Sequence, residues 1–265
     1  MTTAAPTIGS GITLLTAATP NGYKASIALE ELKAIGAIPS YSVVPISFQK
    51  NEQKSDWFLK INPNGRIPAL VDAIEGQAPV NVWESASILL YLARVYDANH
   101  VFHFSDPAEE QELLNWIFFL QGGVGPMQGQ ANHFFRYAPE KIPYAIKRYQ
   151  DETRRLYSVY ETRLADREYL VGPGRGKYTI ADICTYGWVS SYAWAGLSLD
   201  TFPRLKAWLE RISARPAVVL GNSVPKSNYV KPEDAERAAK EASDWVRRVL
   251  LVSKLAFIIH FDGRS

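Results

Sequence analysis

The sequence predicts an α/β domain followed by an all-α domain. Short apolar, β-branched runs alternate with segments of helical spacing up to residue 97, and this alternation is typical of a sheet covered by helices. From residue 108 to about residue 220 the strand signals disappear and helical spacing dominates. A chain of 265 residues is also long enough for two small domains. We therefore expect one domain at residues 11–98, a helical bundle at residues 108–220 and a C-terminal tail at residues 221–265.

The first domain is predicted from its order of elements. A β-α-β-α order implies that the first two strands are parallel, and two later runs separated by a turn-rich segment indicate an antiparallel hairpin. A closing helix begins at Glu84 and Ser85. This is the order of a thioredoxin-like domain with a mixed four-stranded sheet. The predicted strands cover residues 12–16, 41–46, 69–72 and 80–83, and the predicted helices cover residues 23–35, 56–61 and 84–96.

The second domain is predicted to be a helical bundle. Residues 142–164 carry apolar positions at helical intervals and are expected to form one long helix. Thr179 and Asp182 have the hydroxyl-then-acid spacing of a helix cap. We expect this cap to start a buried helix that runs to Trp194.

Composition excludes several classes of function. The formal net charge of +2 gives no overall field that would attract nucleic acid. The histidines show no metal-ligand spacing, and the glycines near residue 174 do not follow a strand, so neither a metal nor a nucleotide cofactor is expected. The single cysteine, Cys184, cannot form an intrachain disulfide, which favours the cytoplasm. We expect its thiol to be buried and inert.

Neither end of the chain is predicted to insert stably into a membrane. Residues 1–11 lack the pattern of a signal peptide. Residues 249–261 are rich in apolar side chains, but Lys254 and His260 interrupt a stretch already shorter than the roughly 20 residues of a spanning helix. We expect the apolar end of the tail to dock on the bundle or to be disordered. Contact with a membrane surface and an error in the gene sequence are the alternatives.

A proline at a strand entrance is the first candidate for a binding site. Pro68 follows the turn-rich segment 62–66 and precedes the strand that begins at Ala69. A cis Ile67-Pro68 bond would turn the backbone N–H and C=O of Ile67 outward, where a peptide ligand can pair with them. An ordinary trans proline at the start of an edge strand is the alternative.

Two further candidates lie where helices begin. At the last strand-to-helix junction, free backbone N–H groups near Ser85 can hold a carboxylate while Glu84 accepts from an ammonium group. In the loop before the first helix, Thr19 and Asn21 can donate hydrogen bonds to a ligand thiolate, which lowers the pKa of the thiol. The alternatives are that Ser85 only caps its own helix and that the loop is only a turn.

Three ordered segments resemble the glutathione site of the glutathione transferases. They are TPNGYK at residues 19–24, NPNGRIPALVD at residues 62–72 and WESASILLYL at residues 83–92. In the second domain, GGVGPM at residues 122–127 and IPYAIKRY at residues 142–149 are similar to one subgroup, which contains bacterial Nu-class enzymes and fungal relatives of the yeast nitrogen regulator. The resemblance covers about residues 14–218 and implies the glutathione transferase fold.

The resemblance implies roles for individual residues. Asn21 and Thr19 would contact the glutathione sulfur and act as the catalytic residues. The loop before the third strand would pair with the cysteinyl backbone, Glu84 with Ser85 would hold the γ-glutamyl group, and Arg148 would balance a carboxylate. The full set of expected glutathione-binding residues is Asn21, Gln53, Arg66, Ile67, Pro68, Glu84, Ser85 and Arg148.

The resemblance also implies an activity. Because the loop offers Asn21 and no cysteine, the reacting sulfur would be that of glutathione, a co-substrate, and the second substrate would be a small electrophile, a disulfide or a peroxide. Disulfide reductase and peroxidase activity would exceed conjugation. A homodimer is expected, formed by the helix at residues 87–96 and the first helices of the second domain.

Two alternatives stay open at this point. The protein could bind glutathione or a hydrophobic ligand without turnover, as a regulator or carrier, although the aromatic residues considered for that pocket are more often core. It could instead be an enzyme with Cys184 as its nucleophile. Residues 1–11 carry no Asn/Gln-rich segment like the prion segment of the yeast regulator, so the resemblance is not expected to extend to its prion behaviour or its regulatory role. The aromatic residues considered are Trp116, Phe118, Phe119, Phe134 and Phe135.

Overall fold

The chain folds into a mixed sheet followed by helices in a computed structural model, which describes residues 4–226, 236, 237, 240, 241, 243 and 244. The strands are β1 (Gly11–Thr16), β2 (Ser42–Pro45), β3 (Ala69–Ala73) and β4 (Val80–Trp83). Their order in the sheet is β2-β1-β3-β4. β1 is parallel to β2 and antiparallel to β3, and β3 is antiparallel to β4. The predicted parallel pair and hairpin are both confirmed.

Helices pack on the sheet and dominate the rest of the chain. The fold is the predicted thioredoxin-like domain followed by a helical domain, while the exact boundaries at residues 98 and 108 stay predictions. The α-helices among the described residues are α1 (Pro20–Ala34), α2 (Asp56–Leu59), α3 (Ser85–Tyr96), α4 (Pro107–Phe119), α5 (Gly125–Asn132), α6 (Pro143–Arg163), α7 (Ile180–Val189), α8 (Pro203–Ser213) and α9 (Pro216–Gly221).

Helix α1 begins earlier than predicted because Thr19 caps it. Thr19 has extended backbone angles, and its Oγ1 accepts a hydrogen bond from the Gly22 N–H at 3.1 Å. Pro20 occupies the first helical position, where the missing N–H would have no partner within the helix in any case. Asn21 therefore lies in the first turn of α1 and not in the loop expected from the sequence.

Helix α7 begins with the predicted cap. Asp182 accepts from the Thr179 N–H at 3.0 Å, and Thr179 Oγ1 accepts from the Ala181 N–H at 3.3 Å. The Asp182 carboxylate also accepts from the Leu170 N–H and from Trp208 Nε1, at 3.1 and 2.9 Å. Complete burial raises the pKa of Asp182 to about 6, although these hydrogen bonds act in the opposite direction.

The same helix ends before the predicted residue, Trp194. Its last residue is Val189, and a separate 3₁₀ turn follows at Tyr192–Ala195. The carbonyl group of Trp188 accepts a hydrogen bond from Gln128 Nε2 at 2.8 Å. The same carbonyl accepts from the Ser191 N–H and from Ser191 Oγ, at 3.1 and 2.9 Å. These partners satisfy the Trp188 carbonyl without a further α-helical turn.

The two domains pack closely where α1 meets α7. A Cβ at Gly187 in α7 would lie 2.3 Å from the Pro20 carbonyl oxygen, so this approach requires glycine. Farther along α1, Arg215 donates two hydrogen bonds to the buried Glu31 carboxylate, at 2.7 and 2.8 Å. These contacts hold both the start of α1, at Pro20, and its last turns, at Glu31, against the helical domain.

The C-terminal tail is described only in part. Glu241 accepts a hydrogen bond from Gln49 Nε2 at 2.8 Å, and Ser243 Oγ donates to the Tyr137 carbonyl at 3.0 Å. The apolar end at residues 250–261, expected to dock or to be disordered, lies outside the described residues. Within the described part of the chain, no helix is long and apolar enough to cross a membrane.

Candidate functional site

A cleft of about 350 Å³ lies where α1 and α3 begin. Its volume is that of an ordinary small-molecule site. Every predicted glutathione-binding residue except Gln53 and Arg148 lines this cleft. The lining residues are Thr19, Asn21, Phe48, Asn62, Asn64, Arg66, Ile67, Pro68, Glu84 and Ser85.

The turn before β3 contributes backbone groups to the cleft. The Ile67-Pro68 peptide bond is cis, so the alternative of a trans proline is wrong. Asn62 fixes the turn, because its side chain donates to the Arg66 carbonyl at 2.7 Å and accepts from the Asn64 N–H at 3.0 Å. Neither backbone group of Ile67 has a hydrogen-bond partner among the described residues. A peptide in the cleft can therefore pair with Ile67 as a neighbouring strand would.

The junction of β4 and α3 forms another side of the cleft. Glu84 has φ 71° and ψ 120°, a conformation that costs free energy in a non-glycine residue and is often found at functional sites. Ser85 is the first residue of α3, and no side chain caps this helix. The structure thus contradicts the alternative that Ser85 caps its own helix. The N–H groups of the first turn are available to an anion.

Asn21 and Thr19 present donors at the start of α1. Trp188 donates from Nε1 to Asn21 Oδ1 at 2.9 Å. Because an indole N–H can only donate, the oxygen of the Asn21 amide must face Trp188 and the NH₂ group must point away from it. Thr19 Oγ1 already accepts from Gly22, and its own hydrogen is still available for donation.

The helical domain holds Trp188 in place. A Cβ at Gly125 would lie 3.2 Å from Trp188 Nε1, and one at Gly129 would lie 3.3 Å from the ring, so both glycines make room for the indole. Gln128 donates to the Trp188 carbonyl and accepts from the buried Tyr157 hydroxyl at 2.7 Å. No sequence pattern assigned a role to Trp188. The glycines of the segment at residues 122–129 are the signal that could have revealed it.

Gln53 and Arg148 lie outside the cleft. Gln53 is buried and donates to Asn51 Oδ1 at 2.9 Å, while its Oε1 has no hydrogen-bond partner among the described residues. Arg148 is exposed on α6, in a shallow depression of about 380 Å³ whose other lining residues are Tyr144, Lys147, Asp151, Glu152 and Arg155. The roles of Gln53 and Arg148, given by the resemblance alone, stay predictions.

The aromatic residues considered for a hydrophobic-ligand pocket do not line the cleft. Trp116 stacks on Tyr160, with ring centroids 5.5 Å apart, and Phe119 meets the same tyrosine edge-on. Phe134 stacks on Tyr149 at 5.5 Å. Trp116 and Phe119 pack against the core, as the core interpretation predicts. Phe118 is exposed and does not fit that interpretation.

The thiol of Cys184 is completely buried in α7, as predicted. Burial raises the pKa of this thiol, and the neighbouring Lys24 only partly offsets the rise. A protonated, enclosed thiol is a poor nucleophile. In the described part of the chain, no group of three or more His, Cys, Asp or Glu side chains is placed to hold a metal ion.

Comparison with known proteins agrees with the two-domain fold. Family models for the glutathione S-transferase N-terminal and C-terminal domains match residues 10–94 and 113–216. The disulfide-bond oxidoreductase YfcG of Escherichia coli is 41% identical over 208 residues, which are 78% of this chain and 92% of that protein. The transcriptional regulator URE2 of Saccharomyces cerevisiae is 32% identical over 233 residues, which are 76% of this chain and 64% of that protein.

Solved structures of similar fold include ligand complexes. A glutathione transferase homologue from Lodderomyces elongisporus, with two GSH per subunit, is 39% identical with a TM-score of 0.74 and covers 82% of this chain and 99% of its own. Yeast Ure2p in complex with glutathione is 34% identical with a TM-score of 0.72 and covers 79% of this chain and 97% of its own. Both family models, these identities and the fold agree, so the chain belongs to the glutathione transferase family.

Proposed function

We propose that this protein is a glutathione-dependent disulfide reductase in which Asn21 and Thr19 stabilise the glutathione thiolate. The hydrogen bond from Trp188 to Asn21 Oδ1 carries the proposal, because it leaves the amide N–H groups of Asn21 free to donate to a sulfur in the cleft. The Thr19 hydroxyl supplies a second donor. Donors without an accessible cysteine suit a reaction on the sulfur of a bound thiol.

The reaction needs only glutathione and a disulfide. Hydrogen bonds to the sulfur lower the pKa of the glutathione thiol, and the thiolate attacks one sulfur of the substrate. The substrate S–S bond breaks, its other sulfur leaves as a thiolate that takes up a proton, and a mixed disulfide with glutathione forms. A second glutathione thiolate attacks the glutathione sulfur of that mixed disulfide, which releases the second substrate thiol and gives oxidised glutathione.

Relatives support this reaction. YfcG and YghU of Escherichia coli are both named disulfide-bond oxidoreductases, at 41% and 37% identity to this chain. The Lodderomyces elongisporus homologue holds two GSH per subunit, which is the number of thiols that oxidised glutathione requires. In this chain, Ile67 would pair with the cysteinyl backbone, and Glu84 with Ser85 would hold the γ-glutamyl group. Peroxide reduction by the same thiolate is a further expected activity.

Replacement of Asn21 tests the proposal. Asn21→Ala should lower kcat/KM for reduction of a small mixed disulfide about 10- to 100-fold, since a hydrogen bond to a charged group contributes about 1.5–3 kcal/mol. Glutathione affinity, measured by calorimetry, should change less than about threefold because the backbone and γ-glutamyl contacts are intact. The pKa of the bound thiol, followed by thiolate absorbance, should rise.

A matched control is Asn115→Ala. Asn115 is exposed on α4, outside the cleft, where it accepts a hydrogen bond from Gln111. This variant should behave as the wild type in turnover, affinity and thiol pKa. An Asn21→Ala protein with wild-type turnover and thiol pKa would contradict the role of Asn21.

A second candidate function is glutathione binding without turnover. URE2 of Saccharomyces cerevisiae, 32% identical to this chain, is named a transcriptional regulator. Glutathione binding by the wild type with no turnover on any disulfide or peroxide would favour this candidate. Failure of the wild type to bind glutathione would contradict both candidates.

We also propose that the protein forms a homodimer through α3 and α4. Val95 on α3 and Phe118 on α4 are 42% and 65% exposed, and apolar side chains of this size are often covered by a partner. Sedimentation should give the mass of a dimer. Phe118→Asp should shift the population towards the monomer, and an unchanged dimer would place the interface elsewhere.

A further inference from the structure

Lys24 is a buried cation that the proposed reaction does not use. It lies in α1, is 0% exposed and contacts both domains. Its Nζ donates to Gln121 Oε1 at 2.6 Å in the helical domain and to Ser85 Oγ at 3.3 Å beside the cleft. No carboxylate lies within ion-pair distance of this ammonium group among the described residues.

The surroundings of Lys24 make its positive charge costly. Burial lowers the pKa of Lys24, and the nearby Cys184 thiol and Glu84 carboxylate offset only part of that effect. Its hydrogen-bond acceptors, Ser85 and Gln121, are neutral. A desolvated ammonium group with neutral partners costs free energy that an anion close by would recover.

The contact with Ser85 determines what this serine can offer a ligand. A lysine ammonium group has three donors and no acceptor, so Ser85 Oγ must accept from Lys24. The single hydrogen of the Ser85 hydroxyl is then available to donate towards the cleft that this residue lines. It does so at the first residue of α3, where uncapped backbone N–H groups carry partial positive charge.

The Ser85 hydroxyl, the N–H groups at the start of α3 and the Lys24 ammonium group lie at different distances from the cleft. A ligand carboxylate at Ser85 meets the hydroxyl and the helix N–H groups directly, and the full charge of Lys24 lies behind them. Glu84 is exposed at the cleft, where water screens its charge. The buried cation should therefore contribute more to binding than the exposed anion does.

We propose that Lys24 is a positioning residue, acting through Ser85, that makes the site selective for γ-glutamyl peptides with a free α-carboxylate. The inference rests on the proposed glutathione site and names the part of the ligand that this site recognises. Glu84 would accept from the α-ammonium group of the same γ-glutamyl residue.

Two glutathione analogues test the inference in the wild-type protein. One is 4-aminobutanoyl-cysteinylglycine, which lacks the α-carboxylate, and the other is glutaryl-cysteinylglycine, which lacks the α-amino group. Calorimetry should show a larger loss of affinity for the first analogue than for the second. An equal or smaller loss would overturn the inference, whatever the stability of any variant.

Two variants then assign the effect to Lys24. Lys24→Met should weaken glutathione binding about tenfold or more while changing the affinity for 4-aminobutanoyl-cysteinylglycine less than about twofold. Lys24→Gln, which keeps a donor for Ser85 but not the charge, should show the same pattern. Lys33→Met, an exposed lysine of α1 paired with Glu30, is the control and should leave both affinities unchanged.

The outcomes separate this inference from the proposed function. Equal weakening of both ligands by Lys24→Gln would indicate a general structural role and overturn the inference. Selective weakening of glutathione would support the inference even in a protein without turnover, which would contradict only the reductase proposal. Turnover together with unchanged glutathione affinity in Lys24→Gln would leave the reductase proposal intact and overturn the role of Lys24.

Discussion

The two domains contribute to the cleft in different ways. The thioredoxin-like domain presents the groups that face a ligand, and local contacts hold them, such as the Asn62 turn beside Ile67. Behind it lies a helical wall, the part of the helical domain around Gln121 and Trp188, which lines none of the cleft but holds Asn21 through Trp188 and Lys24 through Gln121. Ligand contacts and their orientation thus come from different domains, so the chemistry of the cleft depends on how the domains pack.

The largest expected effect comes from removing the framework of the helical wall. Asp182→Ala should lower the free energy of unfolding by about 3–5 kcal/mol, because it leaves the buried donors of Thr179, Leu170 and Trp208 without their acceptor. Urea unfolding measures the loss. The exposed Asp200 is the control, and Asp200→Ala should cost less than about 0.5 kcal/mol. A similarly small loss in Asp182→Ala would show that the helical wall does not depend on this cap.

The pH dependence of unfolding sharpens the same test. Burial raises the pKa of Asp182 from 3.8 to about 6, so between these values the folded state keeps a proton that the unfolded state has released. The resulting stabilisation is fully present below the unfolded pKa and is lost as the pH rises through about 6. The stability difference between wild type and Asp182→Ala should therefore be larger at about pH 4.5 than at about pH 7, by about 1–3 kcal/mol. A constant difference would contradict the raised pKa.

A smaller and more selective effect is expected at Trp188. Trp188→Phe keeps the aromatic ring but removes the N–H that fixes the orientation of the Asn21 amide. Turnover should fall about tenfold, and the pH–rate profile should move to higher pH, since the thiolate loses a well-aligned donor. Glutathione affinity should stay within about twofold, because Trp188 is not among the residues that line the cleft.

Trp194→Phe is the matched control for this variant. Trp194 also donates its indole N–H to a side chain of the helical domain, the Tyr137 hydroxyl, and does not contact Asn21. Its loss should leave turnover and the pH–rate profile unchanged. Equal effects of the two substitutions would show that the helical wall acts on the cleft only through its general stability.

The smallest effect is expected at the ion pair between the domains. Arg215→Met removes two hydrogen bonds to Glu31 and leaves that buried carboxylate without its cation. The partial exposure of Arg215 limits the expected loss of unfolding free energy to about 1 kcal/mol. The control is Arg155→Met, which breaks an exposed pair with Glu152 within α6 and should cost less than about 0.5 kcal/mol. Equal losses of unfolding free energy in the two variants would show that the Arg215–Glu31 pair has no special role in domain packing.

Sequence reasoning succeeded where the signal is local. The order of elements along the chain, the parallel first pair and the hairpin follow from runs of apolar residues and turns, and the cap of α7 follows from Thr179 and Asp182, which are three residues apart. The predicted end of α7 was wrong, because the Trp188 carbonyl is satisfied both by Ser191 and by Gln128, and Gln128 lies 60 residues earlier in the chain. A local pattern carries no information about such a partner.

The same limit explains which parts of the candidate site were missed. Trp188 and Asn21 are 167 residues apart in the sequence, and Lys24 and Gln121 are 97 residues apart. Each residue alone is typical of a helix, and only packing of the two domains brings the pairs together. Apart from Phe48, the residues that line the cleft lie in three short segments, which is why a resemblance could identify most of them.

The burial of Cys184 affects how long the protein can work under oxidising conditions. The chain has one cysteine, and its thiol has no contact with solvent. Reagents that convert exposed thiols to sulfinic or sulfonic acids therefore have no cysteine target on the folded protein. In the proposed reaction every sulfur that changes oxidation state belongs to a small molecule that diffuses away after each cycle. Over-oxidised sulfur would leave with that molecule, and the protein would lose activity only slowly under oxidising conditions.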